Sequence, residues 1–260
     1  MSRLDVETLS VELGGRCVVD RLTVTVADGE WAALIGPNGA GKTSALRAIA
    51  GLLPATGTVR LSGADAARMR PRERARRIAL VPQVPTTPPD MTVREYVLLG
   101  RTPYAGYFGG TGAGDRTAAD RALERLGLGE LAARRLESLS GGERQRAVLA
   151  RAVAQEAEVV LLDEPTSALD LARQQQVLGL VDRLRREEGV AVVAAMHDLT
   201  GVALYADHVH LLSSGRLVAT GAPRAVLREE LLSEHYAATV RVFEHDGELV
   251  VFSARAGASA

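Results

Sequence analysis

Lysine is all but absent from this chain. Of 31 basic residues in 260, Lys42 alone is lysine and the others are arginine. Cysteine is as scarce: Cys17 stands alone, which excludes an intrachain disulfide and fits a reducing, cytosolic setting. Aromatic residues make up 3% against 47% hydrophobic, so the core must be built from aliphatic side chains and alanine. There is no excess of charge of either sign, with a net charge of −1. That balance argues against a general nucleic-acid binder, and no nucleic-acid partner is expected. No apolar run reaches the roughly 18 residues of a membrane span, and the first residues carry no signal-peptide stretch. Any membrane role must therefore come through a partner.

The lone lysine marks a place where shape matters as well as charge. An ammonium is a compact point charge, whereas a guanidinium is a planar fork that needs more room. Its setting is Gly36-Pro37-Asn38-Gly39-Ala40-Gly41-Lys42-Thr43-Ser44, which fits the pattern of a phosphate-binding loop. Trp31 to Ile35 reads as a buried strand before the loop, and Lys42 to Ala50 as a helix after it, closed by Gly51. Backbone N–H groups of such a loop point at phosphate oxygens, and the helix N-terminus adds partial positive charge. Lys42 is then placed for β- and γ-phosphates and Thr43 for Mg²⁺.

Around this unit the pattern alternates. Strands are expected at 4–13, 21–26, 59–61, 78–81, 158–162, 190–195 and 208–213. Helices are expected at 71–77, 92–100, 115–127, 142–155, 171–187 and 198–205, with Gly106, Gly109, Gly110, Gly112 and Gly114 as a flexible connection. Strand and helix in alternation predict a mostly parallel sheet covered by helices. The stretch from about 88 to 155 shows no clear strand and is expected to form a helical subdomain. Asp246-Gly247 predicts a hairpin between 240–244 and 248–252, with the residues from Ala254 frayed.

Two further groups carry chemistry. Val159 to Leu162 is an apolar strand that ends in Asp163-Glu164. Carboxylates at the carboxyl end of a strand lie where open α/β sheets bind ligands. Asp163 suits a Mg²⁺ ligand through water, and Glu164 suits a general base for the attacking water. Leu139-Ser140-Gly141-Gly142-Glu143 is a serine N-cap and two glycines opening a helix, a second anion site.

Together these groups resemble the ATPases of ABC transporters over about residues 3–230, with Leu-Ser-Gly-Gly as the family signature. The resemblance implies a P-loop NTPase fold: a RecA-like core at about 1–87 and 156–240, N-terminal antiparallel strands, and an inserted helical subdomain, with 241–260 as a terminal hairpin and tail. It implies that Gln83 touches Mg²⁺ and water, that Ser167 to Asp170 crosses a dimer interface, and that His197 senses the γ-phosphate. It also implies that Ser140, Gly141 and Gly142 close over ATP held by a second copy of the chain, in a head-to-tail dimer. Leu13 stands where an aromatic residue usually stacks on adenine, which leaves Val18 to pack on the base and implies weak base selectivity.

The chain has a single cassette, no fused membrane domain and only about 100 residues between Lys42 and Ser140. It is thus most similar to a stand-alone importer subunit. Val81-Pro82-Gln83, Met91 to Val97 and Gly100-Arg101-Thr102-Pro103-Tyr104 resemble importers of iron–siderophore complexes, haem and cobalamin. In that family the last stretch docks a helix of the membrane subunit. The implied partners are two permease subunits and, indirectly, an external substrate-binding protein. The implied location is the cytoplasmic face of the cell membrane. A soluble ABC ATPase with no transport partner, regulatory or DNA-linked, and a transporter subunit of other cargo or direction, remain open alternatives.

The remaining features carry no chemistry of their own. Arg68, Arg70, Arg72, Arg74, Arg76 and Arg77 are expected to form a solvated helix face, His208 and His210 to point the same way along a strand, and Cys17 to be packed.

Overall fold

The computed structural model describes residues 2–106, 110–167 and 169–255. Gly109 of the glycine-rich connection, Ala168 of the Ser167–Asp170 segment and residues 256–260 of the tail lie outside them. In chain order the elements are β1 (Ser2–Leu13), β2 (Arg16–Ala27), β3 (Trp31–Ile35), α1 (Lys42–Ile49), β4 (Thr56–Leu61), β5 (Ala64–Asp65), α2 (Pro71–Arg77) and β6 (Ile78–Val81). Then come α3 (Val93–Leu98), α4 (Ala113–Arg125), α5 (Gly141–Ala154), β7 (Val159–Asp163), α6 (Leu171–Glu188), β8 (Ala191–Ala195) and α7 (Leu199–Tyr205). The chain closes with β9 (His208–Ser213), β10 (Arg216–Gly221), α8 (Pro223–Val226), α9 (Glu229–Tyr236), β11 (Val240–His245) and β12 (Glu248–Ser253).

The sequence pattern places most of these elements, and the differences have local causes. Gly112 and Gly114 do not form a free connection. Gly112 precedes α4 and donates its N–H to Asp115 at 2.9 Å, which starts the helix. Ala254 is not frayed, because its N–H pairs with the Thr239 carbonyl at 2.9 Å. Strand β10 and helices α8 and α9 were not expected. Each is short and only partly buried, so its apolar pattern is weak.

The sheets have order β2-β1-β4-β5, β10-β9-β3-β8-β7-β6 and, for the terminal hairpin, β11-β12. The first is antiparallel, while the second is parallel from β9 to β6. Strands β3, β7 and β8 are buried along their whole length, as a parallel sheet covered on both faces requires. Ala33, Ile35, Val81, Leu162 and Ala194 face one side and pack with residues of α3 to α6. Ala32, Leu34, Leu161 and Val193 face the other and pack with α1 and the antiparallel sheet. Parallel pairing brings the carboxyl ends of β3, β8, β7 and β6 side by side: Asp163 ends β7, the loops that leave those ends carry residues 36–41, His197, Glu164 and Gln83, and Lys42 and Thr43 open α1.

Candidate nucleotide site

The phosphate loop is held in a shape that two of its glycines make possible. Gly36 has φ +142°, and a Cβ there would lie 2.0 Å from the Leu212 carbonyl oxygen. Gly41 has φ +101°, and a Cβ there would lie 2.4 Å from the Val18 carbonyl oxygen. The loop curls around Lys42, which is 5% exposed and donates from Nζ to the Gly36 and Pro37 carbonyls at 2.7 and 3.1 Å. Burial lowers the Lys42 pKa, against the pull of Glu164 and Asp163 in the other direction. Thr43 Oγ1 donates to Asp163 Oδ1 at 2.8 Å. Burial raises the Asp163 pKa, and the Thr43 hydrogen bond partly offsets it.

Asp163 and Glu164 are adjacent, yet they serve different partners. Glu164 has φ +51°, a conformation that costs a non-glycine residue about 1–3 kcal/mol and turns the chain sharply out of β7. Its N–H donates to the Ala195 carbonyl at the end of β8, at 3.0 Å. The turn leaves Asp163 with Thr43 and sends the Glu164 carboxylate to two side chains. Gln83 Nε2 donates to Glu164 Oε2, and His197 Nε2 bonds Oε1. Four strand ends thus converge on one pair of acids.

A cleft of about 260 Å³ opens over the loop, lined by Val18, Asn38 to Ser44 and Glu164. Leu13 does not line it, and neither do Ser140, Gly141, Gly142 or Asp170. Ser140 caps α5: its Oγ accepts the Glu143 N–H at 3.3 Å, and Glu143 Oε2 accepts the Ser140 N–H at 2.7 Å. The latter bond holds the Glu143 carboxyl below its usual pKa. Gly142 packs on Arg173 of α6, where a Cβ would stand 3.0 Å from Cδ. Asp170 caps α6, accepting the Arg173 N–H at 2.9 Å, and pairs with the Arg173 guanidinium at 3.3 Å. The serine–glycine group is therefore tied to α6, outside the phosphate cleft.

Several side chains that brace the site escaped the sequence reading. Gln145 on α5 donates to the Pro165 carbonyl at 2.9 Å, just past Glu164. Gln155 at the other end of α5 donates to the Ala75 and Ile78 carbonyls, where β6 begins. The Tyr236 hydroxyl accepts the Gly36 N–H at 2.8 Å. A glutamine facing backbone leaves no pattern in a sequence, and Tyr236 lies 200 positions from its partner.

The bland features behave in mixed fashion. Arg68, Arg70, Arg72 and Arg76 are exposed, as a solvated face requires, while Arg74, Arg76 and Arg77 also donate to the Gly51, Pro103 and Leu61 carbonyls. Arg101 is buried, with Asp115 at 3.1 Å and Glu156 at 2.8 Å, and its guanidinium lies 3.7 Å from the Tyr104 ring centroid. Gly100 is buried as well, which leaves Thr102, Pro103 and Tyr104 as the accessible part of that motif. Cys17 is exposed, not packed, because it follows the Gly14-Gly15 turn at the tip of the β1–β2 hairpin. His208 pairs with Glu30, while His210 is buried against Thr220 at 2.8 Å. No third metal ligand joins them among the described residues.

A strand, glycine loop and helix, with an acid pair on a nearby parallel strand, define a P-loop nucleotide-binding protein. The ABC transporter profile matches residues 19–167, and the chain belongs to the ABC transporter family. It is 44% identical to a cobalamin import ATP-binding protein of Halobacterium salinarum over 240 residues, 92% of this chain but 60% of that one. The chain thus spans about three fifths of that relative's length. It is 41% identical to the ferric enterobactin transport ATP-binding protein of Escherichia coli, over 91% of this chain and 88% of that one. It is 46% identical to a hemin import ATP-binding protein of Streptomyces coelicolor, over 91% and 84%. Among solved structures it is similar to a chain of a metal-chelate type ABC transporter in an inward-facing conformation. There the TM-score is 0.84 with 29% identity, over 98% of this chain and 97% of that one. Among the described residues, no helix is long and apolar enough to cross a membrane.

Proposed function

We propose that the chain is the ATP-hydrolysing subunit of a bacterial ABC importer for ferric siderophores, haem or cobalamin. The observation that carries the chemistry is Glu164, held between Gln83 and His197 one residue beyond the Asp163–Thr43 pair. The cargo class rests on the names of the relatives.

The site fits a nucleoside triphosphate with Mg²⁺. The loop amides and Lys42 offer donors to the phosphates, and Val18 offers an apolar contact to the base. Thr43, Asp163 and the amide oxygen of Gln83 form an all-oxygen donor set suited to a hard cation. Bound there, Mg²⁺ supplies neutralisation of phosphate charge. Glu164 accepts a proton from the attacking water as the water oxygen bonds the γ-phosphorus. The bond from that phosphorus to the β–γ bridging oxygen breaks, and Lys42 balances the charge that gathers on the departing diphosphate. His197 orients the Glu164 carboxylate and reads the γ-phosphate. Gln83, which donates to that carboxylate, would hold the cation through its amide oxygen.

Ser140, Gly141, Gly142 and Asp170 serve the ATP of a second copy in a head-to-tail dimer. Residues 1–240 form the cassette, with a core at about 1–87 and 156–240 and a helical subdomain at about 88–155. The dimer works beneath two permease subunits on the cytoplasmic face of the membrane, and an external binding protein delivers cargo. Affinity purification of the tagged chain from detergent-solubilised membranes tests this assembly. Recovery of a multi-span permease is expected, and repeated recovery of the chain alone, or with DNA, would sink the transport reading.

A further inference from the structure

Two loops of the site are fastened by one C-terminal unit that no motif marks. Helix α9 and the β11–β12 hairpin are joined to each other by Glu229, whose Oε1 accepts the Val242 N–H at 2.9 Å and whose Oε2 pairs with Arg241 at 3.0 Å. Ser233 Oγ adds a bond from the Val240 N–H at 3.1 Å. Leu232 and Val240 anchor the unit in the core.

The first fastening is on the phosphate loop. Tyr236 ends α9, and its hydroxyl accepts the N–H of buried Gly36 at 2.8 Å. The carbonyl of the same glycine accepts Lys42 Nζ at 2.7 Å. Tyr236 therefore holds the residue that holds the ammonium. Burial pushes the phenol pKa up to about 12, so the hydroxyl stays neutral through the working range. The second fastening is on the turn after His197. Val251 of β12 donates its N–H to Thr200 Oγ1 and accepts the Thr200 hydroxyl, each at 3.1 Å. Thr200 lies in the first turn of α7, where Asp198, the neighbour of His197, caps its N–H at 3.1 Å.

We propose that residues 229–253 are a positioning element for nucleotide hydrolysis, with Tyr236 setting the phosphate loop and Thr200 setting the histidine turn. Neither side chain needs to touch the nucleotide. The inference rests on the ATP-hydrolysis reading and assigns to the C-terminal unit a control over the two halves of that site: binding through Gly36 and Lys42, turnover through His197.

The test compares full-length wild type, Tyr236→Phe and Thr200→Val. Each variant keeps the shape of its side chain and loses the hydroxyl. Binding is read with a fluorescent ATP analogue, turnover by phosphate release, and folding by thermal melting. Tyr236→Phe leaves a buried N–H without its acceptor, and the expected result is a Kd and KM raised about tenfold with kcat within about twofold. Thr200→Val is expected to lower kcat about threefold or more with little change in Kd. A general loss of stability would lower active protein in both variants without splitting Kd from kcat. Wild-type values of Kd in Tyr236→Phe and of kcat in Thr200→Val would overturn the inference. If the phenylalanine variant did not fold, kcat of Thr200→Val would decide alone. Wild-type protein that neither binds nor hydrolyses ATP would instead overturn the reading beneath it.

Discussion

His197 Nε2 and Glu164 Oε1 are hydrogen-bonded across 33 residues of sequence, because β7 and β8 are neighbours in the sheet and both residues leave its carboxyl end. With Gln83 on Oε2, both oxygens of the Glu164 carboxylate are engaged. Each oxygen keeps a second lone pair, so the group can take a proton from water with both bonds in place. Glu164→Gln keeps the size of the side chain and removes its basicity. ATP binding should stay within about threefold of wild type while turnover falls at least about 100-fold, the range a general base contributes. Fluorescent-nucleotide titration and phosphate release read the two effects, and near-wild-type hydrolysis would remove Glu164 from the base role.

Lys42→Arg is the second prediction. The ammonium sits between two carbonyls at 2.7 and 3.1 Å inside a closed loop, and a planar fork does not fit that space. The variant should fold, as judged by circular dichroism, and lose at least about 100-fold in ATPase activity despite unchanged charge. In the wild type an amine-specific reagent has only Lys42 and the N-terminus to modify, and Mg-ATP should protect Lys42. Equal labelling with and without nucleotide counts against the site.

The separation of the serine–glycine group from the phosphate cleft gives a third. Glu164→Gln with Mg-ATP should shift from monomer to dimer in light scattering. Adding Ser140→Arg, which places a bulky side chain at the α5 N-terminus, should hold it monomeric with nucleotide binding retained. A dimer that persists would mean that Ser140 faces no second nucleotide.

Among the described residues, the cleft is lined by Val18 and by no aromatic side chain. Base stacking on an aromatic ring contributes about 1–3 kcal/mol in nucleic-acid systems, and that contribution is missing here. GTP should therefore be hydrolysed with kcat/KM less than about 100-fold below that of ATP. Side-by-side kinetics decide it.

His210 governs a pH dependence. Burial, reinforced by the charge of His208, lowers its pKa from 6.5 to about 4. Between those values the unfolded chain binds a proton that the folded chain refuses, so stability falls as pH drops from 6.5 towards 4. The slope is about 1.4 kcal/mol per pH unit, for a total of about 3 kcal/mol. His210→Leu removes this loss, and Thr220 is exposed enough to find water. Urea denaturation at pH 7 and pH 5 should show wild type losing about 2 kcal/mol more than the variant. Equal losses would mean that His210 titrates normally in the fold.

The loop, the acid pair and the alternating strands were legible because each is a local pattern. A glycine at 36 or 41 answers a backbone collision, and a buried parallel strand is a continuous apolar run. The turn at Glu164 was legible only as a need for two carboxylates to part. Its left-handed backbone is set by pairing with Ala195, which no local rule supplies. The burial of Arg101 was not legible, because the 100–104 stretch reads as a docking segment through its resemblance to the family alone. Its place against Asp115 and Tyr104 depends on how α4 and the 99–104 turn pack. Tyr236 was beyond reach for the same reason: a hydroxyl meeting a backbone N–H far away in sequence follows from tertiary packing alone.

The enclosure of Lys42 has a practical consequence. A protease that cuts only after lysine has one address in this chain, and that address is wrapped in its own loop with the ammonium tied down. Cleavage must wait for the loop to open, so the rate at which one band becomes two follows the open population, and the opening rate itself once protease is in large excess. The chain therefore carries its own reporter of site dynamics, with no label and no substitution.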